Sequence, residues 1–294
     1  MNGLRIPCEY EVVVEPPAQL GEGPRWDAQT GTLLWVDILG RRLHRYDPGR
    51  GCDDWVQLDE LVSAALPRAS GRPLLGLPDG FYDADGHKLS RVVAVEAERP
   101  ENRTNDAACD PAGRLWAGTM ALDERTPSAG LYRIDADLTV TKVVADTTIS
   151  NGLGWSPRGD RFYFIDSPTC RVDVFDCDVA SGTIENRRPL AAVQVEDAVP
   201  DGLAVDAEGC IWVALHGGWG LARFSPEGEL MGRVELPVAK VTSCCFGGPA
   251  LRDLYVTTRR QSLSEREVQE QPLAGALLRL DAGVAGLPTY AFAG

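Results

Sequence analysis

The chain has 294 residues, 44% hydrophobic and 24% charged, and no linker or low-complexity tract divides it; this excludes a disordered protein and fits one domain spanning 1–294. Forty-three acidic residues against 29 basic ones leave a net charge of −14, a field that repels nucleic acid and anionic membranes and suits cations. No apolar run approaches the ~20 residues that span a bilayer, and residues 1–7 lack the apolar core of a signal peptide, so a cytoplasmic location is expected.

The 31 glycines and 20 prolines are spread along the chain, as expected for many short strands joined by turns and few helices. The segment Glu9-Tyr-Glu-Val-Val-Val14 reads as a lone strand. A repeated unit follows it. Glu22-Gly-Pro-Arg-Trp-Asp27 precedes a Gly-containing turn, an apolar strand Gly31–Val36 and a third strand Arg42–Asp47. A weaker copy starts at Ser63-Ala-Ala-Leu-Pro-Arg68 and continues into Arg72–Leu77. Stronger copies start at Asn105-Asp-Ala-Ala-Cys-Asp110, Asn151-Gly-Leu-Gly-Trp-Ser156 and Asp201-Gly-Leu-Ala-Val-Asp206, and a sixth at Ser243-Cys-Cys-Phe-Gly-Gly248. The units are about 40 to 50 residues long, the length of a four-stranded propeller blade. The expectation is an all-β, six-bladed β-propeller of four-stranded antiparallel blades, with Glu9–Val14 completing the last blade and closing the ring.

The first strand of each propeller blade lines the central channel, so one phase of the repeat forms a ring around the axis. Glu22, Asn105, Asn151 and Asp201 stand at that phase, with Ser63 and Ser243 in the other two copies. Hard oxygen donors converging from separate strands suit one divalent cation, Ca²⁺ foremost, with Zn²⁺, Mn²⁺ or Fe²⁺ as alternatives. Asn-Gly and Asp-Gly are also common turn dipeptides, but turn chemistry accounts neither for Glu22-Gly23 nor for the convergence. The eight cysteines form no C-x₂-C pair, and the three histidines have no zinc-site spacing; buried, reduced thiols are expected. The tripeptides Asn102-Arg-Thr104 and Arg158-Gly-Asp160 read as accidental matches to a glycosylation sequon and an adhesion motif, since no secretion signal accompanies them.

Leu20-Gly-Glu-Gly-Pro-Arg-Trp26, Arg103-Thr-Asn-Asp106, Asp110-Pro-Ala-Gly-Arg-Leu-Trp-Ala-Gly-Thr-Met120, Ser150-Asn-Gly-Leu-Gly-Trp-Ser156 and Pro200-Asp-Gly-Leu-Ala-Val-Asp206 resemble the gluconolactonase/regucalcin family, in order and at similar spacing. The segments Leu215–Pro226 and Cys245–Pro249 resemble its bacterial sugar-lactonase branch. The resemblance implies a six-bladed propeller that hydrolyses a sugar lactone to the aldonic acid. It implies metal ligands at Glu22, Asn151 and Asp201, and substrate contacts at Arg103, Asn105 and Asp123, with Glu124 as the alternative to Asp123. Asp201 is the expected general base. Trp219 and His216 are further candidates for the pocket. Two rivals share the architecture: a phosphotriesterase-like hydrolase, which needs an aromatic, apolar pocket, and a non-catalytic calcium-binding regulator, which has no use for Arg103 and Asn105.

Overall fold

A computed structural model describes residues 4–15, 18–86 and 88–294. It contains six four-stranded antiparallel sheets arranged as blades, and each of the first five is a meander of consecutive strands. Their inner strands are Gly21–Asp27, Ala64–Leu66, Asn102–Cys109, Ser150–Trp155 and Val199–Val205. The sixth blade takes Val241–Gly247, Asp253–Thr258 and Leu277–Asp281 from the end of the chain and Tyr10–Val14 from its beginning. Tyr10–Val14 pairs antiparallel with Leu277–Asp281, which closes the ring as the repeat predicts. Upstream of it, Leu4 and Ile6 bond to both sides of Arg233, adding a short parallel edge to blade 5 that the repeat did not anticipate. The described residues hold one short α-helix, Glu265–Glu270, capped by Ser264 and Glu267, and none long and apolar enough to cross a membrane.

The motif Asp-x-x-Gly-x-x-Trp explains itself in blades 3 and 5. Asp110 and Asp206 each accept backbone N–H groups of the turn that follows them, and their second oxygens hold the indole N–H of Trp116 (3.1 Å) and Trp212 (2.9 Å). Gly113 and Gly209 supply the positive φ, 80° and 83°, that tightens these hairpins. The tryptophans are fully buried between blades, where wedge-shaped packing needs large rigid rings. Cys109, Cys210, Cys244 and Cys245 are buried free thiols as expected, whereas Cys52 and Cys170 lie exposed at a strand start and a turn.

Candidate functional site

One mouth of the channel opens into a cavity of about 110 Å³ lined by Glu22, Arg103, Asn105, Asn151 and Asp201, and also by Glu124, Ser167, His216 and Arg259. A recurrent irregularity brings the first group together. The inner strands of blades 1, 3, 4 and 5 each carry a bulge at this level, between Glu22 and Arg25, Thr104 and Ala107, Ser150 and Leu153, and Pro200 and Leu203. A bulge adds a residue and turns its side chain out of the pleat, here toward the axis. Asn105, Asn151 and Asp201 each occupy the first bulged position. Glu22 is still paired with Val36, one place earlier, so its phase differs by one residue from the repeat alignment. Gly23 takes φ 53° beside it and donates its N–H to the Glu22 carboxylate at 2.9 Å.

A chain of hydrogen bonds orients the amides. Arg103 Nη1 donates to Asn105 Oδ1 at 2.9 Å, Asn105 Nδ2 donates to Asn151 Oδ1 at 3.1 Å, and Asn151 Nδ2 donates to Ser167 Oγ at 2.9 Å. Asn151 therefore turns its carbonyl oxygen toward Asn105 and its amino group toward Ser167, and that oxygen keeps a second lone pair. Burial pushes the Glu22 carboxyl up to about 8, helped by the negative Asp106 nearby. Burial, Glu22 and Asp106 push the Asp201 carboxyl well above the ordinary carboxylate range. With Asp201 buried and Glu22 half-buried, a cation between the two carboxylates would offset this cost, and the donor set of two carboxylates and an amide oxygen fits a hard divalent ion. Burial lowers the Arg103 guanidinium to about 10, and it stays cationic at neutral pH.

Asp123 stands apart from the cavity. Its carboxylate is exposed and committed to its own loop, accepting the backbone N–H groups of Arg125 and Thr126 at 2.9 Å and the Thr126 hydroxyl at 2.5 Å, and these bonds hold it at about 2. Glu124, turned by φ 57°, lines the cavity instead. Ser63, just before the inner strand of blade 2, and Ser243, on that of blade 6, are buried and outside the cavity lining; Ser63 bonds to Thr104 at 2.7 Å. Trp219, with φ 59°, lies in a separate surface groove with Asp197 and Arg233. His216 does reach the cavity, and its Nε2 is buried without a partner. Ser167 and Arg259 carry no signal in the repeat, because they lie beyond the second strands of blades 4 and 6, outside the inner-strand phase that the repeat exposes. Asp206, Glu208 and Cys210 also cluster, but Arg223, the Trp212 indole and two backbone N–H groups already occupy the Asp206 oxygens.

Fold and site together define a propeller with a polar, cation-suited centre at one channel mouth. The chain belongs to the SMP-30/gluconolactonase/LRE-like family, whose model matches residues 20–260 and so spans every residue of the cavity. It is 35% identical over 280 residues to YvrE of Bacillus subtilis (strain 168), whose name offers it as a sugar lactone lactonase, with 94% of this chain and 96% of that one covered. It is 37% identical over 303 residues to regucalcin of Gallus gallus, covering 100% of both chains. Among solved structures it resembles regucalcin from Agrobacterium tumefaciens str. C58, described as a calcium-binding protein, with a TM-score of 0.93, 30% identity and coverage of 98% and 99%. The bacterial and vertebrate identities differ by only two points, so overall likeness does not separate the two branches. Family membership supports a lactonase-like hydrolase role.

Proposed function

We propose that this chain is a metal-dependent lactonase that hydrolyses a sugar lactone to its hydroxy acid, with Glu22, Asn151 and Asp201 holding the ion. The observation that carries this reading is the convergence of two raised carboxylates, an oriented amide oxygen and the Arg103–Asn105 pair on one small cavity. A bound divalent cation would polarise the lactone carbonyl and stabilise the oxyanion that develops there. Arg103 and Asn105 hold the ring hydroxyls, since a planar fork and an amide together offer donors and an acceptor. Asp201 accepts the proton of the attacking water; a carboxylate has two oxygens, so ligation by one leaves the other for the proton. The ring C–O bond then breaks, and the ring oxygen takes the proton from Asp201 and leaves as the product's new hydroxyl.

The apolar part of the cavity comes from Leu20, Ile38, Met120, Ile149 and Val199, with no Phe, Tyr or Trp in the lining. That composition disfavours an organophosphate substrate, and the positioned Arg103 and Asn105 disfavour a regulator that only binds calcium. The direct test is a panel of five- and six-carbon aldonolactones assayed with Ca²⁺, Zn²⁺, Mn²⁺ and Fe²⁺, alongside an organophosphate and a chelator control. Hydrolysis of lactones that disappears with chelator supports the reading. Turnover of the organophosphate alone, or of neither class, would overturn it.

A further inference from the structure

Arg259 follows the second strand of blade 6 and lines the cavity from the side opposite Arg103, which stands on blade 3 of the six-blade ring. Its Nε and Nη2 donate to the Gln261 side-chain carbonyl and Nη2 also to Ser262 Oγ, which leaves Nη1 unengaged. Among the described residues, Arg259, Arg103 and the neighbouring Lys240 form no ion pair with a carboxylate, although the chain carries a net charge of −14. Lys240 donates to the carbonyls of Gln261 and Ser262 at 3.3 and 3.2 Å, which braces the segment that Arg259 holds. His216, bridged by backbone to Lys240, adds the partnerless buried Nε2 on the same side.

Three carboxylates and two guanidiniums line the cavity, so a bound divalent cation leaves it with a net positive charge. A neutral sugar lactone has nothing to match that excess or the unengaged Nη1 of Arg259. A cationic N–H donor matches a carboxylate.

We propose that the preferred substrate is an anionic lactone, a sugar lactone carrying a carboxylate at the end remote from its lactone carbonyl, and that Arg259, with His216 beside it, selects that carboxylate. The inference rests on the lactonase reading and names the substrate class of that site. The product is then a dicarboxylic sugar acid, and the substrate must be supplied by a reaction that oxidises or lactonises a sugar acid.

The test compares three lactones of one ring on the metal-loaded protein: one with a terminal hydroxymethyl group, one with a carboxylate there, and one with a phosphate ester there. The carboxylate substrate is expected to exceed the neutral one by about ten-fold or more in kcat/KM, and Arg259→Gln to lower that ratio by a similar factor, the usual scale of a charge-assisted hydrogen bond. Arg259→Lys, which keeps the charge but loses the bonds to Gln261 and Ser262 that orient Nη1, should fall between. Equal use of the neutral and carboxylate substrates, preference for the phosphate ester, or an unchanged ratio in Arg259→Gln overturns the proposal and leaves the lactonase reading intact. Calorimetric binding of the dicarboxylic and monocarboxylic products to the wild-type protein reads the same preference without turnover. If no lactone is hydrolysed, the lactonase reading falls, while tighter binding of the dicarboxylate still supports the anion subsite and equal binding overturns it.

Discussion

The two ends of the channel are built from the same inner strands and treat charge in opposite ways. At the inner edge of the same bulges, Arg25 and Asp106 pair at 2.7 Å, both buried, and Arg25 also donates to the carbonyls of Pro24 and Ala107. Beyond them the far mouth is lined by Leu153, Trp155, Leu203, Phe246 and three thiols, and residues 287–290 of the C-terminal segment form part of its wall. That segment bonds in turn to Leu251, Val205, Pro67 and Gly113, crossing blades 6, 5, 2 and 3. At the site mouth, the half-buried Glu22 and the buried Asp201 form no ion pair among the described residues, and neither do Arg103 and Arg259. Polar groups are settled internally where the fold depends on them and left unsettled where a ligand arrives.

Removing one partner at the settled end should have the largest effect. Arg25→Met leaves Asp106 buried and unpaired and should cost about 3–5 kcal/mol of stability in a denaturant titration. Adding Asp106→Asn should recover much of the loss, and additive damage in the double variant would mean that the pair is not one unit.

At the unsettled end the loss should appear in rate. Asp201→Asn keeps an oxygen for the ion but cannot accept a proton, so at verified full metal occupancy kcat should fall about 10²-fold or more, with the acidic limb of the pH–rate profile lost or displaced. Near-normal kcat with the wild-type profile would reduce Asp201 to a ligand.

The contrast also predicts a pH dependence of opposite sense to that of ordinary paired carboxylates. The Glu22 carboxyl is raised on folding, so the metal-free folded protein binds more protons than the unfolded chain between its ordinary value and about 8. Its stability should therefore decline as pH rises through that window, and Asp201 acts in the same direction. A saturating divalent cation should flatten the decline, as should Glu22→Gln in the metal-free protein. Thermal melting of chelated protein across pH checks this, and a metal-free stability that rises over the window would contradict it.

The smallest effect is expected in the loop beside the site. Asp123→Ala should change the KM for lactone by less than about two-fold, as for an exposed group outside a site, and Glu124→Ala should raise it more. A larger effect at Asp123 than at Glu124 would restore the alignment's first choice.

What was legible in the sequence follows from what repeats. Six copies of one meander exposed the blade count, the closing strand and the inner-strand ring, because those features depend on periodic hydrophobicity and on turns at fixed offsets. Glu22, Asn105, Asn151 and Asp201 were visible for the same reason, although the alignment could not show that Glu22 precedes its bulge. Arg259 and Ser167 were hidden because they follow second strands, where the repeat has no shared residue. The choice between Asp123 and Glu124 was open in the sequence because two adjacent acids share one loop, and only the backbone turn at Glu124 shows which of them lines the cavity. The C-terminal segment has no periodicity to read, since it crosses blade ends and joins no sheet.

Titrating metal-free wild-type and Glu22→Gln protein with a divalent cation, while following both bound metal and lactone hydrolysis, asks whether the ion at Glu22 is what makes the cavity a lactonase. Activity should be absent without metal, rise in step with about one bound ion per chain, and in Glu22→Gln need a markedly higher metal concentration. Lactone hydrolysis that persists in metal-free protein, or an unchanged metal titration in Glu22→Gln, would contradict it.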